Sequence, residues 1–213
     1  MNYLYLHGFA SGPSSVKLLY LRECFAADGI ALQTPDLNQN DFFNLTLTRQ
    51  IQQCEALFAA NPQPWTIVGS SLGGLTAAWL GQRNATVARL ILLAPAFEFL
   101  PYWQQQLGAE QLTQWQQTGQ IEVYHHAVQR SLPLSYQFWL DAQRYKEVDI
   151  NRAVPTLILH GTEDEVIPVE ASRRYAAQRP WSTLVELQCD HGMINNLPQI
   201  WEQTRRFCGL LTA

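Results

Sequence analysis

The stretch "VGSSLGG", residues 68–74, decides how this chain is read. An apolar run from Trp65 to Val68 leads into it, and "LTAAWLGQR", residues 75–83, leaves it with helical spacing. Two serines and three glycines therefore stand where a buried strand turns into a helix. Serine adds nothing to packing at such a point, and glycine weakens regular structure. The residues fit G-x-S-x-G with Gly69, Ser71 and Gly73 in the fixed places. In that motif a sharp strand-to-helix turn holds the middle serine strained and exposed, and the glycines let strand and helix pass closely. Ser71 is the expected nucleophile, and Ser70 occupies the variable place.

Working outward, the chain alternates strand-like and helix-like segments. Six short runs rich in strand formers, each bounded by turn residues, cover residues 3–7, 30–34, 65–69, 89–94, 156–160 and 183–187. Most are apolar throughout, as strands covered on both faces of a parallel sheet should be. Helical periodicity falls near residues 15–27, 44–60, 72–83, 170–178 and 197–207. This alternation predicts one α/β domain over residues 1–213, with a doubly wound, mainly parallel six-stranded sheet. One connection is far longer than a crossover needs. Residues 96–154 read as a helical lid inserted in the domain, with helices near 102–107, 109–117 and 135–145.

A serine hydroxyl needs a base to take its proton. On this architecture an acid and a histidine follow the serine, each just past a later strand. "TLILHGTEDEVIP", residues 156–168, supplies the acid as Asp164, with Glu163 and Glu165 expected in solvent. "VELQCDHGM", residues 185–193, supplies the base as His191. Asp190 is its sequence neighbour, but consecutive loop side chains seldom face each other. The loop after the first strand, "YLHGFASGPSS" at residues 5–15, should contribute one backbone N–H to an oxyanion hole and the residue after the nucleophile the other. Those donors are Phe9 and Leu72. His7 is expected to hold the loop in shape by hydrogen bonding.

Together "YLHGFASGPSSVK", "GSSLGG", "HGTEDEVIP" and "DH" resemble the small esterases of the α/β-hydrolase superfamily, above all its YqiA/YcfP-like family. "VYHHAVQRSLPLSYQFWLDAQRY", residues 123–145, is similar to a segment of related palmitoyl-thioesterase-like hydrolases. The resemblance implies an α/β-hydrolase fold lacking the first two strands of larger members. It also implies hydrolysis of a carboxylic ester or thioester on Ser71, Asp164 and His191. Two other readings keep the same pocket: C–C bond hydrolysis or perhydrolysis by the same triad, and a non-catalytic small-molecule-binding protein.

The insertion is dense in aromatics, and Phe97, Phe99, Trp103, Phe138 and Trp139 are the expected walls of an apolar site for short to medium acyl groups. Composition narrows the partners. A net charge of −4, without a Lys/Arg run, speaks against a nucleic-acid surface, and the partner that the resemblance implies is a small-molecule ester or thioester. His125 and His126 are adjacent and lack a carboxylate at ligand spacing, so neither a metal nor another cofactor is expected. The four cysteines form no C-x-x-C pair and read as reduced thiols. "MNYLYLHGFA" has no basic leader and no spanning length, which predicts a cytoplasmic protein.

Overall fold

Strand β1 (Asn2–Leu6) shows how the residues build the sheet. Leu4 and Leu6 point to one face and Tyr3 and Tyr5 to the other, the two-residue alternation of a pleated strand. Both faces are buried, because helices cover both. The computed structural model describes residues 1–210. Strand β2 (Leu32–Gln33) lies at the edge, and β3 (Trp65–Ser70) and β4 (Val87–Leu93) follow beyond β1. The sheet ends in β7 (Thr156–Gly161) and β8 (Ser182–Leu187), giving the order β2-β1-β3-β4-β7-β8. All five pairings are parallel. Each expected strand is present, although the second keeps only two paired residues.

Helices α1 (Val16–Ala27) and α7 (Leu197–Cys208) cover one face through Leu18, Leu21, Phe25, Leu197 and Ile200. On the other lie α2 (Leu47–Ala60), α3 (Leu72–Arg83) and α6 (Val169–Ala177). Burial of each such aliphatic side chain contributes roughly 1.5–3 kcal/mol. Thr46 caps α2 by accepting the Arg49 N–H at 3.1 Å. Helix α3 is buried on nearly every side, which its small and apolar sequence allows.

The long connection between β4 and β7 corrects one expectation: it is not all helical. It opens with α4 (Phe99–Thr118), broken at Gly108 (φ 73°, ψ 166°), so the two predicted helices are two arms of one element. An antiparallel hairpin follows, β5 (Gln120–His125) with β6 (Arg130–Ser135), and then α5 (Gln137–Ala142). Asp141 of α5 anchors the segment to the start of α2, accepting from Thr48 N–H at 2.9 Å and Thr48 Oγ1 at 2.5 Å.

Candidate active site

Ser71 sits directly between β3 and α3 with φ 53° and ψ −119°. A non-glycine residue held at positive φ is strained, and the surrounding structure must over-determine it. Two close approaches do so. A Cβ on Gly69 would collide with the Gly73 carbonyl, and one on Gly73 with the Leu6 carbonyl of β1. The helix is thereby pressed onto the strands, and the Ser71 side chain is turned out above the carboxyl edge of the sheet. The Ser71 amide donates to Leu93 O at 2.9 Å and its carbonyl accepts from Gly74 and Ala96, so the turn is pinned on both sides.

Asp164 follows β7 and is buried, while Glu163 and Glu165 are exposed, as expected. Its Oδ1 accepts the N–H groups of Val166 (2.9 Å) and Ile167 (2.8 Å). Its Oδ2 lies 2.7 Å from His191 Nδ1. Burial alone would raise its pKa, but hydrogen bonds from His160 and His191 outweigh that and hold the carboxyl well below the usual range. A carboxylate only accepts, so His191 Nδ1 carries the hydrogen and Nε2 is free to act as a base. Asp190 turns away and accepts the Met193 N–H at 2.9 Å.

Phe9 and Leu72, the expected oxyanion donors, line one cavity of about 240 Å³ together with Ser71. Neither amide has a backbone acceptor among the described residues. His7 behaves as expected. Its buried ring takes the Leu37 N–H at Nε2 (2.9 Å) and meets Gly8 O at Nδ1 (2.9 Å), which fixes the Nδ1–H tautomer.

Of the five expected pocket residues, Phe99, Trp103 and Phe138 line the cavity. The other two do not. Phe97 is buried in the core, stacked at 3.9 Å on Tyr175 of α6, and Trp139 lines a separate groove beside α5. Helix α4 leaves the sheet beyond Phe97, so that ring points back into the core. Ala96, Tyr102, Gln106, Val166 and Ile167 complete the cavity. Val166 and Ile167 bring the Asp164 loop to the wall that faces Ser71. The Asp164 loop thus shares the cavity with Ser71 through Val166 and Ile167; the Asp164 and His191 side chains are not among its walls, and no hydrogen bond joins Ser71 Oγ to His191 among the described residues.

The sequence reading missed His160, the last side chain of β7 before Gly161. It is fully buried, and its Nε2 lies 3.1 Å from Asp164 Oδ2. Its only sequence signal was a polar residue ending an apolar strand four places before the acid. Among the described residues no three His, Cys, Asp or Glu side chains are grouped to hold a metal. The four cysteines are unpaired, and no described helix is long and apolar enough to cross a membrane.

A protein-family model described as "Uncharacterised protein family (UPF0227)" matches residues 2–208. No curated protein matches the chain. Among solved structures it is similar to Est1E from Butyrivibrio proteoclasticus with bound ferulic acid. That match has 20% identity, covers 96% of this chain and 86% of that one, and has a TM-score of 0.82. Alpha/beta hydrolase domain-containing protein 10 from mouse matches at 19% identity over 99% and 90% of the two chains, TM-score 0.79. The monoacylglycerol lipase of Paleococcus ferrophilus matches at 16% identity over 96% and 94%, TM-score 0.74. At such identities the likeness establishes the fold. With its strained serine elbow at the centre of six parallel strands, the chain has the α/β-hydrolase fold and belongs to the UPF0227 family.

Proposed function

We infer that this protein is a serine hydrolase that cleaves carboxylic esters or thioesters with short to medium apolar acyl groups. The carrying observation is the 2.7 Å Asp164–His191 bond after the two last strands of the sheet that bears the strained Ser71, which itself lines the aromatic cavity with Val166 and Ile167 of the Asp164 loop. In the reaction His191 Nε2 takes the Ser71 proton as Oγ attacks the acyl carbon. The negative oxygen that forms accepts the Phe9 and Leu72 N–H groups. Collapse expels the alcohol or thiol, which receives the proton from His191, and leaves an acyl-Ser71 ester. Water, deprotonated by the same histidine, then releases the acid and restores the serine. Asp164 stabilises the imidazolium without taking its proton.

The substrate class follows from the walls. Phe9, Phe99, Trp103 and Phe138 give the cavity an aromatic lining, which suits an apolar acyl or aroyl group better than a sugar. Est1E, a structural relative, binds ferulic acid, an aromatic carboxylic acid. The segment carrying three of these rings, residues 96–154, acts in this reading as the lid of a single domain.

The test is labelling with a fluorophosphonate probe together with a panel of p-nitrophenyl and thioester substrates. Wild type should label and turn over apolar esters. Ser71→Ala should lose labelling and several orders of magnitude of turnover, while Ser70→Ala retains most activity. Labelling that survives Ser71→Ala, or a panel in which only charged acyl groups react, rejects the proposal. Labelling without any ester or thioester turnover would favour C–C hydrolysis or perhydrolysis, and no labelling a binding protein.

A further inference from the structure

Every polar atom of the buried His160 ring is engaged. Nε2 lies 3.1 Å from Asp164 Oδ2 and 2.9 Å from Ile167 O, and Nδ1 lies 2.7 Å from Ser172 Oγ of α6. A carboxylate and a carbonyl can only accept, so Nε2 carries a hydrogen. In the neutral ring Nδ1 is then bare, and the Ser172 hydroxyl donates to it. Burying a polar ring is unfavourable unless its hydrogen bonds are made, and here each atom has a partner. A histidine that served only to tie down the turn would need Ile167 O alone. Instead it reaches Oδ2, the same oxygen that meets His191.

We propose that His160 is a positioning residue of the hydrolytic triad, with Ser172 holding its tautomer, and that it sets both the orientation of the Asp164 carboxylate and the strength of its support for His191. This rests on the Ser71–His191–Asp164 reading above. Four donors then surround Asp164: two amides on Oδ1 and two imidazoles on Oδ2. The carboxylate cannot rotate without losing several of them. A second donor on Oδ2 also draws charge from the oxygen facing His191, which weakens its hold on the imidazolium. Removal of His160 therefore has two separable effects. The carboxylate is freed to turn, which lowers kcat. What remains of its interaction with His191 is stronger, which favours the protonated ring.

Other charged and titratable groups surround the pair. Lys17 approaches from α1, and Cys189 and Asp190 from the loop after β8. Glu186 of β8 lies in register with His160 and is bound by Arg173 of α6 at 2.6 Å. Glu163 and Glu165 flank Asp164 on its own loop. All are retained in the variants below, so a shift in pH profile between variants reports the ring itself.

The test compares His160→Phe, His160→Gln and Ser172→Ala with wild type on p-nitrophenyl butyrate, reading kcat, KM and the acid limb of kcat/KM against pH. His160→Phe should lose about 10–100-fold in kcat with KM little changed, the range seen when a partner of an active-site ligand is removed. Its acid limb should move to higher pH. His160→Gln, whose amide N–H can reach Asp164, should recover most of kcat and move the limb back. Ser172→Ala, which frees the ring to change tautomer, should shift both in the same direction by less. A folded His160→Phe with wild-type kcat and an unmoved limb overturns the proposal, as does His160→Gln behaving no better than His160→Phe. If His160→Phe does not fold, a wild-type kcat and an unmoved acid limb in Ser172→Ala overturn it equally. Ser71→Ala is run alongside. Turnover in that variant removes the triad reading itself, whereas an inactive Ser71→Ala beside a normal His160→Phe removes only the role of His160.

Discussion

At the scale of single residues, the positions proposed to carry the chemistry were legible where each follows a strand: Ser71 after β3, Asp164 after β7, His191 after β8. Strand ends can be read from sequence because apolar runs stop abruptly at turn residues. His160 was not legible, because its role depends on an oxygen and a hydroxyl brought to it by folding. Lys17 is a second residue whose setting only the structure gives. It lies half-buried in the first turn of α1, where the positive end of the helix dipole also disfavours a cation. Burial pushes its ammonium down to about 8, with Asp164, Cys189 and Asp190 drawing it partly back. A folded-state value below the ordinary 10.5 means that the unfolded chain binds the proton more tightly. The charge thus destabilises the fold at neutral pH, and the penalty fades as pH rises from about 8 toward 10.5. Lys17→Met, which keeps the stem and drops the charge, should raise the urea midpoint at pH 7. Its advantage should shrink above pH 8. Equal midpoints at pH 7, or a gap that stays constant to pH 9.5, would sink this account.

At the scale of elements, the six strands and the core helices were readable because their periodicity is carried by apolar residues. The hairpin β5–β6 was not. Pro133 stands inside β6 opposite Glu122, and proline argues against a strand unless the strand is an edge. Both strands of this two-stranded ribbon are edges. Its turn, residues 126–129, contains no glycine or asparagine to mark it. The aromatic content of the insertion was plain from sequence, but the direction of each ring was not. Trp103 packs edge-on against Phe9 at 5.5 Å, Phe138 at 5.6 Å and Trp115 at 5.2 Å, and so forms a wall of the cavity. Trp139 is more deeply buried, also in aromatic company, yet faces another groove. Trp103→Ala should therefore move the preferred substrate from p-nitrophenyl butyrate toward longer acyl chains. Trp139→Ala should cost about 3–5 kcal/mol of stability with the chain-length preference unchanged. Selectivity that responds to Trp139 and ignores Trp103 would reverse the assignment of the two walls.

At the scale of the whole molecule, acid should act in two stages. His7 must stay neutral to accept the Leu37 N–H, and burial holds its proton affinity below the ordinary 6.5. His125, buried against Phe42 with Nδ1 lacking a partner among the described residues, is lowered by burial and by the nearby His7. For both, the unfolded chain takes a proton that the folded one resists, so stability falls as pH drops below about 6.5. Asp164 adds a second loss below about 4, where its unfolded form protonates first. Urea midpoints should be level near neutrality and fall between pH 6.5 and 5, and a constant midpoint across that interval contradicts the prediction. The same His125 belongs to the tip of the hairpin, and that tip does more than hang from the insertion. The His126 N–H donates to Ala10 O at 2.8 Å, and Ala127 Cβ is 3.2 Å from where a Cβ on Gly12 would stand. The tip therefore clasps the loop that carries Phe9. Anyone grafting the insertion of a relative onto this scaffold to change the proposed acyl preference would transplant one jaw of that clasp without the other, and would alter the proposed oxyanion donor along with the pocket. The β1 loop and residues 96–154 should be exchanged as one cassette.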